Sequence, residues 1–315
     1  MSSFKKHLES QGKSKKTVEH YTSYVLDFIS FLDRDNTPPE SATGKEVMAY
    51  LQYLQRKGQQ NKTRRIRLGV LKLFFDWQIK RQLRDDNPTS HLKIRGVHKQ
   101  KLYPLLDGEQ LERLHHEYQI PEADDPRARR NWFRAYRLNR VRNKVVLSLM
   151  IHQGLSTPEV NRLTTSDLRL KEGLIYIAGS RKTNERQLEL KSKQIIELME
   201  YAYEFRKQYL KYQSGKTDNL FLPVPAVGKA KVTAKDLTRL DWIWKGLSQD
   251  LRKQHPEFIN FKQVRTSVIT HWLKQYNLRQ VQYMAGHKHV NSTESYLVNQ
   301  LDDLKEDIDN FHPLA

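Results

Sequence analysis

The chain of 315 residues contains no cysteine, which excludes disulfide bonds, thiolate metal ligands and a cysteine nucleophile. It also lacks any run close to the roughly 20 consecutive apolar residues that cross a bilayer. The polar segment Met1–Lys16 has no apolar core of a signal peptide. We therefore expect a cytoplasmic protein without membrane association, whose covalent chemistry uses an oxygen or nitrogen nucleophile.

Acidic residues are fewer than basic ones, with 36 Asp and Glu against 55 Lys and Arg, and the formal net charge is +19. A surplus of this size favours a polyanionic partner, nucleic acid first and an anionic membrane second. The length suggests two domains, because a single hydrophobic core rarely grows past about 250 residues.

Apolar residues recur at helical spacing from Phe4 to about Arg95, which predicts four or five short helices. Two basic clusters fall near the predicted helix beginnings, where backbone amides also favour phosphate. We interpret them as contacts to a DNA backbone rather than as solvated helix faces, the ordinary alternative. The clusters comprise Lys13, Lys15, Lys16, Lys62, Arg64, Arg65 and Arg67.

A basic segment around Lys93–Lys101 has hardly any apolar residues and is typical of a linker. We therefore predict a helical domain over residues 1–95, a linker over 96–104 and a second domain over 105–315.

The second domain has an arginine-rich stretch after Pro126. Four of its arginines recur at the spacing of one helix face, which suits a row of phosphates, although a solvated helix is the alternative. Trp132, Phe133 and Tyr136 are then expected to face the core. The four arginines are Arg127, Arg130, Arg134 and Arg137.

Two short apolar segments farther along, Leu174–Ala178 and Arg186–Leu190, are predicted strands of an antiparallel hairpin. The polar stretch Gly179–Glu185 joins them, and helical patterns follow to the end of the chain. The fold class is therefore mainly α, with a small antiparallel sheet in the second domain.

Chemically capable residues follow one another in a distinctive order. Lys182 lies in the hairpin turn, and Lys262 and Arg265 lie three residues apart at the start of a predicted helix. The tripeptide Ala285-Gly286-His287 is followed nine residues after the histidine by Tyr296. Each residue alone has an ordinary structural explanation, but their order and spacing together indicate a site.

This order resembles that of the tyrosine recombinase, or phage-type integrase, family. The resemblance covers nearly the whole chain, since Ser14–Tyr21 and Asn87-Pro88 are similar to the family's core-binding domain. It implies an all-helical, SAM-like core-binding domain and an α+β catalytic domain that form a clamp around DNA. It also implies a homotetramer on two double-stranded DNA sites and a reaction without metal or cofactor.

The resemblance and the chemistry of phosphodiester exchange assign a role to each residue. Tyr296 attacks phosphorus and forms a 3′-phosphotyrosyl intermediate. Arg265 clamps the phosphate with its planar fork, and Lys182 protonates the leaving 5′-oxygen. His287 binds the phosphate or takes the tyrosine proton. Lys262 occupies a position where the family usually has histidine.

The family's Gly-Leu-Arg motif is altered to Gly154-Leu155-Ser156, so a neutral side chain stands where a cation is expected. Loss of one charge-stabilising donor typically costs about 10² to 10³ in rate. Either a cation from elsewhere replaces the arginine, as we favour, or the protein has lost catalysis. Some integrases of conjugative elements are similar in having serine here. The candidate replacements are Arg140, Arg142, Lys144 and Arg181.

The expected function is site-specific recombination, which serves integration, excision, transposition or inversion of a mobile element. A catalytically impaired DNA-binding or assembly protein of the same family is the alternative, and a nicking or topoisomerase-like enzyme is a third. An association with the nucleoid, and a directionality or host factor as a further partner, are also expected.

An apolar stripe at helical spacing runs between acidic residues in the tail 297–311. The resemblance implies a C-terminal helix that docks on a neighbouring subunit, although the tail could instead cover its own domain. The stripe comprises Leu297, Leu301, Leu304, Ile308 and Phe311.

Overall fold

Helices make up most of the computed structural model, which describes residues 2–96, 103–225, 232 and 241–297. The chain divides into two compact units, Met1–Lys101 and Leu102–Ala315. The predicted fold class, mainly α with a small antiparallel sheet, is confirmed. The domain limits at residues 95 and 104 stay predictions, because residues 97–102 of the expected linker lie outside the described ranges.

Helices are the only regular secondary structure in the described part of the first unit. Ser14 begins the second helix by accepting a hydrogen bond from the Thr17 amide, and Thr43 begins the third through a capping box with Glu46. The apolar faces of the helices meet in one core. The helices are α1 (Ser2–Ser10), α2 (Lys15–Leu32), a 3₁₀ turn (Asp33–Asp35), α3 (Gly44–Arg56) and α4 (Asn61–Lys80).

Two arginines of the predicted DNA-binding clusters are buried in this unit. Arg64 donates to Gln55 at 2.9 Å, while Arg67 donates to Asp27 and to the Tyr50 hydroxyl, each at 2.8 Å. Their guanidinium groups satisfy internal acceptors, so the interpretation of these two as phosphate contacts was wrong. The other members of the clusters are exposed or half-buried: Lys13, Lys15, Lys16, Lys62 and Arg65.

The second unit surrounds its own, larger core. Its helices before the sheet are α5 (Gly108–His116), α6 (Phe133–His152) and α7 (Thr157–Val160), with 3₁₀ turns at Pro126–Arg129 and Thr165–Asp167. Its elements after the sheet are α8 (Ser192–Glu200), a π-helical turn (Tyr201–Phe205), α9 (Arg206–Leu210), α10 (Asp241–Gln254), α11 (Phe261–Gln275), α12 (Leu278–Ala285) and α13 (Val290–Glu294).

The sheet has three antiparallel strands in the order β1 (Leu168–Arg169), β2 (Leu174–Ile177) and β3 (Arg186–Glu189). The predicted hairpin is confirmed, with Ile177 opposite Arg186 next to the turn. The first strand was not predicted, because two residues are too few to show alternation. Side chains of β3 alternate between buried and exposed, and Arg186 shares the buried face with Leu188.

The predicted row of four arginines on one helix face was wrong. The 3₁₀ turn Pro126–Arg129 ends at Arg130, whose ψ of 136° is extended, and α6 begins only at Phe133. Phe133 is buried as expected, whereas Trp132 is 36% exposed. The chain therefore changes direction between the first and second pairs of arginines.

The four arginines of this stretch also differ in what they contact. Arg127 donates to both carboxylate oxygens of Asp125, at 2.8 and 2.6 Å, and this pairing lowers the pKa of Asp125 to about 2. Arg137 is half-buried and donates to the Pro121 carbonyl at 2.9 Å. Arg130 and Arg134 are exposed and suit contact with an anion.

Replacing Arg67 by glutamine should lower the free energy of unfolding by about 1 to 3 kcal/mol, because the buried Tyr50 hydroxyl and the Asp27 carboxylate lose their donor. The matched change Arg65→Gln removes the same charge at an exposed site of the same helix. It should change the free energy of unfolding by less than about 0.5 kcal/mol. Urea unfolding measures both values. Equal effects of the two changes would contradict the internal role of Arg67.

Candidate active site

The altered Gly154-Leu155-Ser156 motif forms the turn between α6 and α7. Gly154 has φ +59°, and a side chain on it would press against the Trp272 ring at 2.8 Å. Ser156 caps α7: its backbone amide and hydroxyl both donate to Glu159 Oε2, at 2.9 and 2.6 Å. Ser156, which stands in place of the expected arginine, therefore caps α7 and carries no charge.

The Glu159 carboxylate is the buried centre of the site, with 1% of its side chain exposed. Oε1 accepts from Arg186 Nη1 at 2.7 Å, and Oε2 accepts from Arg265 Nη1 at 3.0 Å. Burial alone would raise the pKa of Glu159, but the two guanidinium groups outweigh it and lower the pKa to about 2. Glu159 is therefore a carboxylate at neutral pH, and the three side chains together carry one positive charge.

Arg265 lies in α11 and connects three segments of the chain. Besides Glu159, its Nη1 donates to the Gly154 carbonyl at 2.5 Å, and its Nη2 donates to the Ala285 carbonyl at the end of α12 at 2.7 Å. These bonds hold the plane of the guanidinium group. With 11% of its side chain exposed, Arg265 keeps an edge at the surface, as a phosphate clamp requires.

His287 and Tyr296 face each other across a short turn and helix. Gly286 ends α12 in the left-handed conformation, with φ +68°, and directs the chain to His287. His287 Nδ1 lies 2.9 Å from the Thr293 hydroxyl, and its ring stacks on that of Tyr296 with centroids 5.7 Å apart. Tyr296 also packs against the small apolar cluster around Val281.

The hairpin turn that carries Lys182 is attached to this histidine. Thr183 forms an antiparallel bridge with His287, and the Asn184 amide donates to the Gly286 carbonyl at 2.9 Å. The Lys182 and Thr183 amides donate to the Ser180 hydroxyl, which shapes the turn. Lys182 itself is exposed. The structure thus brings the predicted lysine next to the backbone of the predicted histidine.

Lys262 precedes Arg265 by three residues in α11, so the two side chains project from neighbouring positions on the helix. It is exposed, and its Nζ lies 5.6 Å from the centroid of the Tyr103 ring. Four of the five predicted catalytic residues therefore belong to elements that meet around Glu159 or the histidine turn. Lys262 shares α11 with Arg265.

Two of the four candidate replacement cations are buried and hydrogen-bonded elsewhere. Arg140 is buried and donates to the Gln119 carbonyl at 2.7 Å, and Arg142 is buried and donates to the Leu222 carbonyl at 3.1 Å. Lys144 lines a separate cavity together with Arg137, Glu197, Glu200 and Phe205. The predictions for Arg140 and Arg142 were wrong, because α6 directs both side chains to carbonyl oxygens in other parts of the unit. Lys144 stays a prediction. Arg181 is exposed in the turn beside Lys182.

Two residues of the site were missed from the sequence, Glu159 and Arg186. Ser156 and Glu159 have the spacing of a capping box, which predicts a helix start there. The alternation of β3 puts Arg186 on the same face as Leu188 and so predicts a buried arginine. Both signals were available, but nothing in the sequence pairs the two residues.

Within the described residues 2–96, 103–225, 232 and 241–297, no group of three or more His, Asp or Glu side chains is arranged to hold a metal ion. No helix in this part of the chain has the length and apolar character needed to cross a membrane.

Comparison with family models assigns both parts of the chain. Residues 1–85 match the phage integrase N-terminal SAM-like domain, and residues 106–302 match the phage integrase family. The second match covers more than half of the chain, so the protein belongs to the phage integrase family. The family predicted from the motifs is confirmed, and with it the predicted class of enzyme, a tyrosine-type site-specific DNA recombinase.

Individual relatives match over almost the full length. Tyrosine recombinase XerC of Neisseria meningitidis serogroup B is 24% identical over 321 residues, which cover 100% of this chain and 95% of the relative. Among solved structures, the Tn1549 transposon integrase in complex with transposon right end DNA has a TM-score of 0.62 at 16% identity, with 97% of each chain covered. A lambda integrase tetramer bound to a Holliday junction has a TM-score of 0.61 at 15% identity, with 94% of this chain and 75% of that chain covered. At such identities the structural likeness shows the fold alone.

The electrostatics of the site predict an unusual titration of His287. Burial lowers its pKa, and the nearby charges of Arg265 and Arg186 lower it further, to about 4. We expect the His287 ring resonances in NMR spectra to show no titration midpoint between about pH 5.5 and 8. Replacing Arg265 by glutamine should raise the pKa of His287, because it removes one nearby positive charge. Since the unfolded ring titrates near 6.5, the stability that neutral His287 contributes is full above that pH and is lost as pH falls toward 4. A midpoint near 6.5 in the folded protein would contradict this electrostatic picture.

Proposed function

We propose that this recombinase cleaves and rejoins DNA through a 3′-phosphotyrosyl intermediate on Tyr296. The observation that carries the proposal is the stacked pair of His287 and Tyr296, attached through Thr183 to the turn that bears Lys182. A phenol, a neutral imidazole and a lysine are the groups that a phosphodiester transfer without a metal requires. Arg265, held by Glu159, supplies the anion-binding group.

In the proposed reaction the Tyr296 oxygen forms a bond to the scissile phosphorus, and the bond from phosphorus to the 5′-oxygen breaks. The Tyr296 proton passes to His287, which is neutral at pH 7. In the tautomer whose Nδ1–H donates to the Thr293 hydroxyl, Nε2 is the acceptor. Lys182 donates a proton to the departing 5′-oxygen. Rejoining is the reverse, with the 5′-hydroxyl of another strand as the attacking group.

Arg265 and Lys262 stabilise the non-bridging oxygens as negative charge builds on them. Arg265 has its plane set by carbonyl oxygens of Gly154 and Ala285, so little reorganisation is needed when the phosphate arrives. No step of this scheme uses a metal or a cofactor.

Double-stranded DNA is the proposed partner of both units, which we propose to close on it as a clamp. The support is the net charge of +19 together with exposed or half-buried basic side chains in each unit. The two solved neighbours described above are DNA complexes by their titles. The contacts we propose are Lys13, Lys15, Lys16, Lys62, Arg65, Arg130 and Arg134, with Arg127 and Arg137 as secondary members because both already have protein partners.

The working assembly we propose is a homotetramer on two DNA sites, joined through the C-terminal tail 297–311. The lambda integrase neighbour is a tetramer on a Holliday junction by its title, which supports this choice. Of the apolar stripe in the tail, only Leu297 lies within the described residues, and it is 36% exposed. We also propose that a directionality or host factor is a further partner of this assembly. The assembly is proposed to associate with the nucleoid.

A catalytically impaired DNA-binding protein is the second candidate, and the neutral Ser156 is the observation that favours it. Such a protein would bind DNA specifically without forming a covalent adduct. A nicking or topoisomerase-like enzyme would form the adduct but yield only nicked or relaxed DNA. The retention of a stacked His287 and Tyr296 beside a fixed Arg265 weighs against the impaired form.

A nicked suicide substrate, which loses the short strand needed for rejoining, tests the nucleophile directly. The wild type should give a covalent protein–DNA band on a denaturing gel, and Tyr296→Phe should give none while binding DNA normally. Tyr276→Phe, which removes the hydroxyl of a tyrosine that is 45% exposed, is the matched control and should give the wild-type band. Specific binding without a band from the wild type would favour the impaired form.

Truncation after residue 299 tests the role of the tail in assembly. Cooperative binding to a full site should be lost, because every residue of the proposed linking stripe except Leu297 is removed. Affinity for a single half-site should stay within about twofold. Gel-shift titrations on both DNAs measure this. Unchanged cooperativity would count against docking of the tail on a neighbouring subunit.

A further inference from the structure

The last described segment of the first unit, residues 92–96, packs on the helical core of that unit. Leu92 and Ile94 are half-buried and contact the core. Lys93 and Arg95, which alternate with them, are exposed. Alternate side chains of an extended chain point to opposite faces, so the two cations project together away from the core. This segment therefore presents two positive charges at a defined place on the unit.

Asn61, the first residue of α4, fixes the end of this segment. Its Nδ2 donates to the Arg95 carbonyl at 3.0 Å and to the Gly96 carbonyl at 3.3 Å. Gly96 has φ +69°, and a Cβ atom on it would lie 3.2 Å from Asn61 Nδ2. Glycine thus permits both the left-handed backbone and the close approach of the carboxamide. The two hydrogen bonds tie the segment to the beginning of the helix.

The Asn61 carboxamide is itself held in one orientation. Its Oδ1 accepts from Arg64 Nη2 at 2.5 Å, while Arg64 Nη1 donates to Gln55 Oε1 at 2.9 Å. Arg64 is buried and can only donate, so it requires the oxygen of the carboxamide and leaves the nitrogen to face the two carbonyl groups. The buried arginine that was wrongly predicted to bind phosphate therefore orients the group that holds the segment.

Asn61 also has cationic neighbours on its own helix. Lys62 and Arg65 are exposed, and Arg65 lies four positions after Asn61 and so on the same face of α4. The hydrogen bonds of Asn61 thus bring this pair of cations beside the pair on the segment 92–96. Like charges gathered in this way repel one another, and a polyanion offsets the repulsion. A DNA backbone meets this requirement, because it carries closely spaced negative charges along its length.

We propose that Asn61 is a positioning residue for DNA binding. Its two hydrogen bonds hold Lys93 and Arg95 beside the beginning of α4, where both cations bind phosphates of the DNA backbone. A neutral side chain thereby determines where two charges act. Binding then costs less conformational entropy, because the cations are already in place when the DNA arrives. The inference rests on the proposed function, since the DNA is the recombination site, and it adds two contacts to those proposed above.

The salt dependence of DNA binding tests the two contacts. Each phosphate contact contributes about 0.9 to the slope of log K against log salt concentration, so Lys93→Gln with Arg95→Gln should lower the slope by about 1.8. Fluorescence anisotropy of the full chain on a duplex recombination site measures it. The matched control, Lys80→Gln with Arg81→Gln, removes two exposed charges at the other end of α4, about 30 Å from Asn61. It should change the slope by less than about 0.5, and an equal loss in both variants would overturn the assignment.

Asn61→Ala tests the positioning role, because it removes no charge. This variant should bind the same DNA about tenfold more weakly and with a slope lower by about one, since the two cations are no longer held in place. Gln52→Ala, which removes an exposed carboxamide from α3, should match the wild type in both quantities. At saturating DNA, Asn61→Ala should cleave the suicide substrate at the wild-type rate, because binding alone is affected. A folded Asn61→Ala protein with the wild-type slope would overturn the inference.

A double-mutant cycle separates positioning of the cations from a general effect on the fold. When Asn61→Ala is added to the variant that lacks the cations of Lys93 and Arg95, it should weaken DNA binding by less than about twofold, because no cation is left to position. A further loss of about tenfold would show that Asn61 supports α4 itself, and it would contradict the positioning role.

Gly96→Ala provides the same test from the other partner and serves if Asn61→Ala does not fold. Alanine at φ +69° is strained and presses on Asn61 Nδ2, so the segment should shift and DNA binding should weaken as it does in Asn61→Ala. Circular dichroism and urea unfolding report whether each variant is folded. A folded Gly96→Ala protein that binds DNA like the wild type would overturn the inference. The absence of DNA binding by the wild type would instead count against the proposed function.

Discussion

The ion pairs of Glu159 are the interaction on which the rest of the site depends. A carboxylate that is 1% exposed is tolerated only where cations and hydrogen-bond donors surround it, and here Arg186, Arg265 and the Ser156 amide do so. These partners come from β3, α11 and the start of α7. One buried charge therefore fixes the relative positions of three elements that are far apart in the chain.

The same arrangement governs the chemistry, because a carboxylate beside a phosphate-binding arginine competes with the phosphate for it. A second arginine shifts the balance, since two cations against one carboxylate leave an excess that an incoming anion can use. The carbonyl oxygens of Gly154 and Ala285 accept from Arg265 without cancelling its charge. The two carbonyl oxygens thus fix the orientation of the Arg265 guanidinium group, and because they are neutral they leave its positive charge available to an anion.

Local signals predicted much of this protein. The period of the apolar residues predicts the helices, alternation predicts the hairpin, and the spacing of His287 and Tyr296 indicates the site. What the sequence did not show are long-range pairings. Arg65 and Arg67 look alike in the sequence, yet only Arg67 meets an aspartate and a buried hydroxyl from other helices. Arg186 escaped notice for the same reason, because Glu159 lies 27 residues away and the pairing exists only in the folded chain.

Together with burial, the charges that hold Glu159 lower the proton affinity of His287. In the free protein, burial and the two arginines keep the pKa of His287 at about 4, so the ring is neutral and has little tendency to take a proton. In the proposed reaction, a phosphate anion bound to Arg265 would offset the positive charge near the ring and so raise that pKa, although the effect of burial would remain. The histidine then becomes a better acceptor for the Tyr296 proton just when the scissile phosphate is in place. Under the proposed mechanism, the two buried arginines would thus make proton transfer from Tyr296 depend on the bound phosphate.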